Sequence, residues 1–233
     1  MRRLIAVPLA LFLFAGNARA QDSEPEGRPV QFGWETTYAS WYSFQGYDYS
    51  NRRPVLQPEL SASVKNASIS VWGNIDQARQ EMNEVDVTLQ WDWEGSRSSG
   101  SLGYASLQYP HREGWEPSQE IIGEIALQGP LQPSASLHWD VDKGQGRYVE
   151  LGIEGDLPAS SSSIVLAAKL YVQDHYYGTT GITAAEARVG FKHVWGGVAW
   201  EPYVARILSW KSGDVAAGEV VPGWLFSLTL SPP

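Results

Sequence analysis

The sequence predicts an all-β protein: an antiparallel, up-and-down transmembrane β-barrel of about twelve strands. Three observations support this fold class. Apolar and polar residues alternate in repeated segments, long and short connections alternate between those segments, and a secretory signal precedes them. Alternation with a period of two is the pattern of a β-strand with one apolar and one polar face.

The first twenty residues have the three parts of a secretory signal peptide. Arg2 and Arg3 form a basic start, an apolar run extends to Phe14, and Ala-Arg-Ala provides a small-residue cleavage site before Gln21. The apolar run is too short for a helix to cross roughly 30 Å of hydrocarbon. We therefore expect a cleaved signal peptide over residues 1–20 and export from the cytoplasm.

An acidic, proline-containing leader over residues 21–30 is expected to be flexible, and residues 31–233 are expected to form a single β-barrel domain. In the clearest strand, from Glu84 to Trp93, every second residue is Val, Leu or Trp. Pro58 and Pro202 weaken the second and eleventh strands because proline cannot donate a ladder hydrogen bond. The twelve predicted strands lie near residues 32–43, 54–64, 67–73, 84–94, 99–109, 118–128, 133–141, 147–155, 163–172, 182–194, 198–208 and 223–230.

The connections between these strands favour a membrane barrel. Nine of the eleven predicted links alternate between long and short, and the two exceptions flank the eighth strand. One exception, residues 156–164, is predicted as a flexible loop. Bacterial barrels have short turns on the periplasmic side and long loops outside, so the order fits a chain that enters from the periplasm. Alternation alone does not tell which face meets water, so a soluble periplasmic binding barrel or sandwich stays open.

Composition limits the partners. Without the three arginines of the signal peptide, the chain has 14 basic and 26 acidic residues, a formal net charge of −12. This balance disfavours binding to nucleic acid. For a barrel in the outer membrane, the expected partners are outer-membrane lipid and the barrel-assembly machinery. No cysteine is present, so no disulfide stabilises the fold. Eleven Trp and eleven Tyr against six Phe favour rings with a polar edge, which suit the boundary between lipid and water.

Several running segments resemble a family of largely uncharacterised outer-membrane β-barrel proteins of Gram-negative bacteria. The similar segments are PVLQPELSAS, SVWGN, NEVDVTLQWDW, SLGYASLQYP, SQEIIGEIAL, LQPSASLHWDVDKGQGRYVELGI and AWEPYV, in order between residues 54 and 204. The resemblance implies a barrel in the outer membrane and no established ligand or activity. The chain departs from many such barrels at its end, Leu230-Ser231-Pro232-Pro233, where a terminal aromatic residue used in assembly is missing.

The polar strand faces carry most of the charged residues, which would line the lumen of a membrane barrel. Buried charges persist only when they are paired or solvated. The network could therefore be a salt-bridged plug or a narrow passage that favours cations, and in a soluble protein it would be simple solvent exposure. The expected lumen residues are Glu84, Asp86, Asp92, Glu120, Glu124, Asp140, Glu150, Glu154, Glu186, Arg188 and Lys192, with Lys169 and Glu201 beside them.

Weaker patterns suggest other chemistry. Asp140 to Gly146 (DVDKGQG) resembles the start of a calcium loop, but a hairpin turn explains Asp and Gly equally well. Ser136 with His138, or His193 near Ser209, would suit a lipid-acting enzyme; no G-x-S-x-G elbow supports that interpretation. The four histidines lack metal-ligand spacing, so we expect no metal site. We also expect no cofactor and no catalytic residue.

Aromatic residues suggest two surfaces. Phe44 to Tyr49 (FQGYDY), in the first long link, is the expected external recognition surface. The tryptophans at or near proposed strand ends, expected to form an interfacial girdle, are Trp34, Trp41, Trp91, Trp93, Trp139, Trp195, Trp200, Trp210 and Trp224.

The sequence thus predicts an exported outer-membrane β-barrel and not an enzyme. Its role is either a narrow porin-like channel for small solutes or a membrane-embedded structural or interaction protein. The soluble periplasmic barrel and the lipid-acting enzyme are the alternatives. No residue pattern identifies a solute or a protein partner.

Overall fold

A computed structural model describes residues 29–210, 219–220 and 222–233. The expected signal peptide and most of the expected leader lie outside the described residues. The described chain forms twelve barrel strands, as predicted, and three two-residue strands. The barrel strands are β1 Gln31–Ala39, β4 Val55–Val64, β5 Ala67–Asp76, β6 Glu81–Glu94, β7 Ser98–Gln108, β8 Ser118–Leu127, β9 Ser134–Asp140, β10 Arg147–Ala159, β11 Ser162–Tyr176, β12 Thr179–Trp195, β13 Val198–Ser209 and β15 Gly223–Ser231; the short ones are β2 Ser43–Phe44, β3 Tyr47–Asp48 and β14 Glu219–Val220.

Every barrel strand pairs antiparallel with its neighbours along the chain, and the sheet closes where the first and last strands meet. At the closure Thr36 lies opposite Leu230, and Tyr38 lies opposite Leu228. The other edge of β1 pairs with β4 over the whole of β1. Closure leaves no unpaired sheet edge, which is what a strand structure needs in lipid. The all-β, up-and-down barrel of twelve strands is therefore confirmed.

The two prolines inside strands interrupt the hydrogen-bonded ladder on one side only. Pro58 lies opposite Thr36 of β1, whereas the pairing of β4 with β5 passes from Leu56 to Glu59. The pairing of β12 with β13 likewise skips Pro202, which lies opposite Leu228 of β15. Because proline has no N–H to donate, each strand continues with a local gap in its ladder.

One predicted loop is wrong. Residues 156–164 are not a flexible loop, because β10 continues to Ala159 and β11 begins at Ser162. The two strands are paired up to Ala159 and Ser162, with Pro158 opposite Ser163. The serine run is compatible with strand on both sides, and the reversal needs only Ser160 in a left-handed conformation with φ of 57°. The connection is therefore one of the tight turns at the end of the barrel where β1 begins and β15 ends.

The outer surface is apolar. Along β6, Leu89, Trp91 and Trp93 are 54%, 57% and 41% exposed, and their polar neighbours in sequence point inward. The same alternation places large apolar side chains outward on the other strands, including Phe32 and Leu60. Water would not favour such a face, whereas the hydrocarbon of a membrane would. The arrangement is the reverse of a soluble barrel, in which the apolar face is enclosed.

The predicted aromatic girdle is present with one exception. Trp91, Trp93 and Trp195 are exposed near the short-turn end, and Trp139 and Trp224 near the opposite, long-loop end. The exception is Trp41, which is 2% exposed and packs inside the barrel, so its assignment to the girdle is wrong. The reason is that the chain turns inward after Ala39 and does not continue up the barrel wall. None of the described residues belongs to a helix long and apolar enough to cross a bilayer.

Candidate lumen site

Inward-facing charges are unevenly distributed around the barrel wall. The structure places the expected lumen residues on the polar face of β6 and of β8–β13, alternating with exposed apolar residues. Sequence reasoning missed two more carboxylates, Glu35 and Glu59, which lie directly opposite each other on β1 and β4. The alternation of Trp34 and Tyr38 with Glu35 already indicates that this glutamate faces inward.

Two of the basic side chains, Lys169 and Arg188, are neutralised on one wall. The Lys169 ammonium lies 2.7 Å from Glu150, and the Arg188 guanidinium lies 2.6 Å from Glu154 and 3.8 Å from Glu201. These residues belong to β10–β13, which are neighbours in the sheet. The pairs therefore run along the wall of the barrel and do not bridge its lumen.

The opposite wall carries carboxylates without such partners. Among the described residues, Glu84, Asp86, Asp92 and Glu124 form no ion pair within 4.0 Å. Glu84 is only 7% exposed, and its Oε2 atom has no hydrogen-bond partner. The Oδ1 atom of Asp86 also has no hydrogen-bond partner. Glu120 differs, because it contacts His138 Nδ1 at 3.0 Å and accepts a hydrogen bond from the Tyr176 hydroxyl. Three of these four unpaired carboxylates thus lie on β6.

The long connection between β1 and β4, residues 40–54, folds into the barrel and forms a plug. Within it, Gln45, Tyr47 and Ser50 are each at most 3% exposed. The predicted external recognition surface at Phe44–Tyr49 is therefore wrong, because aromatic side chains gain more from packing against the inner wall than from contact with water. A short turn holds the plug together: Asp48 accepts hydrogen bonds from the backbone N–H groups of Ser50 and Arg52 at 3.0 and 2.8 Å.

Two contacts fix the plug to β11 and β13. The Gln173 side-chain amide donates a hydrogen bond to Gln45 Oε1, and Ser209 Oγ donates one to the carbonyl of Gly46 at 2.9 Å. Gly46 has a φ of 87°, and a Cβ atom there would lie 2.5 Å from Cβ of Ala184. Only glycine allows the backbone to approach the wall this closely.

Aromatic rings of the plug, the wall and the loop 109–117 form one continuous cluster. Neighbouring ring centroids lie between 4.9 and 6.4 Å apart, mostly in tilted or edge-to-face arrangements. The Arg112 guanidinium lies 4.6 Å from the Trp115 ring and 5.1 Å from the Tyr49 ring. The members of this aromatic cluster are Tyr42, Phe44, Tyr49, Trp72, Tyr109, Trp115, Tyr148, Tyr176 and Tyr177.

Two cavities lie one above the other along the barrel axis. The inner cavity, of about 390 Å³, is bordered by the aromatic cluster and by Glu84, Asp86 and Glu120. The outer cavity, of about 720 Å³, reaches the short-turn end and is bordered by Asp92 and Glu124, among others. Successive inward residues of one strand line first one cavity and then the other. The lumen is therefore wide and acidic towards the short turns and narrow and aromatic under the plug.

The calcium-like segment 140–146 is a hairpin connection organised by one carboxylate. Asp140 Oδ1 accepts hydrogen bonds from the backbone N–H groups of Asp142 and Gly144 at 2.9 and 2.8 Å, and Oδ2 accepts from the hydroxyls of Ser118 and Tyr177 at 2.7 and 3.1 Å. Both oxygens are thus used by the protein itself.

The same connection also contains a positively charged side chain, that of Lys143. Lys143 forms an ion pair with Glu116 at 2.9 Å, and the hydrogen bond in this pair raises the pKa of Lys143. Because both oxygens of Asp140 accept hydrogen bonds from the connection and its neighbours, Asp140 acts as a turn-forming residue. No group of three possible metal ligands occurs among the described residues.

The Ser and His pairs considered from the sequence have other hydrogen-bond partners: the His138 ring contacts Glu120, and the His193 ring contacts Ser162. Ser136 and His138 both face the lumen, and the His138 ring stacks on Tyr148 with centroids 4.3 Å apart. His193 lies far along β12 from Ser209, which pairs with Ala184; its ring contacts Ser162 Oγ at 2.9 Å instead. No carboxylate among the described residues lies within 4.0 Å of the His193 ring nitrogens.

The fold is similar to those of known membrane barrels. One is described as a NanC porin: it has a TM-score of 0.53 and 11% sequence identity, over 87% of this chain and all of the other. Another, from work on the in-meso crystallization of membrane proteins, has a TM-score of 0.52 and 11% identity, over 86% of this chain and 83% of the other. The chain matches no protein-family model and no curated protein sequence. At this identity the similarity shows a porin-type barrel fold alone.

Proposed function

We propose that the protein is a narrow channel of the Gram-negative outer membrane that favours small cations. The observation that carries the proposal is the set of lumen carboxylates without cationic partners, which border both axial cavities. Rings and patches of carboxylates attract cations and repel anions in a pore of small bore. The paired wall of β10–β13 leaves this excess of negative charge intact.

The placement in the outer membrane rests on three further features. The outward face is apolar, the fold is that of porin-type barrels, and the sequence begins with the pattern of a signal peptide. Outer-membrane lipid and the barrel-assembly machinery are the partners that this location requires. No catalytic role is assigned to any residue.

The proposal is tested by the reversal potential of the purified barrel in a planar bilayer that separates two KCl concentrations. We expect a potential of the sign that marks K⁺ as the more permeant ion. The double variant D92N/E124Q should move the potential towards zero, because it removes two charges from the wider cavity without changing side-chain shape. The control is E113Q, an exposed loop residue. Anion preference in the unmodified protein would contradict the proposal.

A second function, a membrane-embedded structural or interaction protein, is favoured by the plug. The loop 40–54 fills the long-loop end of the lumen with buried side chains. A barrel without any conductance in the same bilayer experiment would support this function and would exclude the channel.

A further inference from the structure

The inner cavity has a property that a simple ion passage does not need, because it is walled mainly by aromatic rings. Eleven Trp, Tyr and Phe side chains border it, and many of these rings contact one another at tilted or perpendicular angles. A small inorganic cation prefers several oxygen ligands or its own water shell. Aromatic faces instead attract organic cations, whose charge is spread over apolar methyl groups.

Buried acceptor atoms point to a cationic ligand at the same place. Glu84 is 7% exposed, borders the cavity, and has an Oε2 atom without a hydrogen-bond partner. Asp86, two residues further along the inward face of β6, has an unpartnered Oδ1 atom. Glu84 also has a hydrogen bond with the Tyr42 side chain, so it is the second oxygen that lacks a partner. A buried carboxylate oxygen without a partner costs free energy that a bound cation would offset. An uncharged sugar would leave this negative charge uncompensated.

The protein already places cations against these rings. The Arg112 guanidinium lies over Tyr49 and Trp115 at the edge of the aromatic cluster, where it donates a hydrogen bond to the Tyr49 carbonyl at 2.9 Å. Arg188 lies 4.9 Å from the ring of Tyr203, which also borders the cavity. Arg112 forms no ion pair with Glu84 or Asp86 within 4.0 Å. Its charge attracts Glu84 from a longer distance and leaves the Oε2 atom of Glu84 without a hydrogen-bond partner.

We propose that the inner cavity binds a small organic ammonium ion. Glu84 and Asp86 would lie next to its positive charge, and Tyr42, Trp72 and Tyr148 would surround its alkyl groups. The volume of about 390 Å³ lies within the usual range of small-molecule sites, roughly 300–1,000 Å³. This inference rests on the proposed function, because it names the class of solute that the acidic lumen would select.

The test is isothermal titration calorimetry of choline into the full barrel, folded in detergent. 3,3-Dimethylbutan-1-ol, which has the shape of choline without its charge, is titrated in parallel. We expect saturable binding of choline and none of the alcohol at the same concentration. E84Q/D86N should raise the dissociation constant at least about tenfold, because a buried charge pair is lost. D92N/E124Q, in the other cavity, should change it little.

A second pair of variants tests the rings and keeps the result independent of the carboxylates. W72L removes a ring from the cavity and should weaken choline binding roughly three- to tenfold, whereas W91L removes a ring from the outward face and should have no effect. Boiling-dependent migration on a gel establishes that each variant is folded. Equal binding of the alcohol, or unchanged binding in E84Q/D86N, would overturn the inference.

Calorimetry does not depend on conduction. A barrel that binds choline without passing current would retain the inference and lose the channel. A barrel that conducts cations but gives no choline binding would lose the inference and retain the channel.

Discussion

Single residues decide where charge remains in the lumen. Alternation in the sequence places Glu84, Asp86 and Glu124 on the polar face of their strands, and the closed barrel shows that this face points inward. Their pairing does not follow from alternation, because an ion pair depends on the register between strands. Lys169 lies directly opposite Gly152, and its partner Glu150 is the diagonal neighbour. A shift of register by one residue would point one of the two side chains away from the lumen.

Asp140 provides a prediction at the same scale. D140A should destabilise the barrel by roughly 2–4 kcal/mol, because four hydrogen bonds lose their acceptor and two of the donors, on Ser118 and Gly144, are buried. Urea unfolding in detergent measures this loss. D142A is the control and should change the stability little, because the side chain of Asp142 forms no hydrogen bond with the described residues. An equal loss in D142A, together with a fall in stability on adding EDTA, would indicate a calcium loop.

At the scale of elements, the twelve strands follow from their alternation, whereas the plug does not. The prediction extended the first strand to residue 43 because its aromatic residues continue a strand-like pattern, but β1 ends at Ala39. Nothing local indicates that Trp41 and Tyr47 will pack inside the barrel. The plug is held through Gln45 and Gly46, whose partners Gln173 and Ser209 lie more than 120 residues away in the chain. Only the closed barrel brings these partners together.

The plug gives a prediction about conductance. G46A places a methyl group against Ala184 and should loosen the plug from the wall, so single-channel conductance should increase. G114A is the matched control, because Gly114 also has a positive φ, 82°, but has no atom within 4 Å of an added Cβ. Both substitutions carry the backbone cost of alanine in a left-handed conformation. An equal change in the two variants would mean that Gly46 does not anchor a conduction barrier.

At the scale of the whole molecule, the apolar outer face and the acidic lumen predict that an added arginine destabilises the barrel by different amounts at two neighbouring positions. V71R places a charge on the outward face and should destabilise the barrel in lipid by about 2–4 kcal/mol. S70R, one residue earlier, points into the acidic inner cavity and should cost much less. Unfolding in lipid vesicles measures both. A larger cost for S70R would mean that the enclosed face is the one that excludes water and charge.

The most direct test of the membrane barrel is cell fractionation combined with heat-modifiability. The full chain is expressed in a Gram-negative host, and the detergent extract of the outer membrane is run on a gel with and without boiling. We expect the protein in the outer membrane, migrating differently before and after boiling because the closed barrel resists detergent until it is heated. Release in soluble form with the periplasm, without any shift on boiling, would contradict the account and make the apolar outer face a surface for another partner.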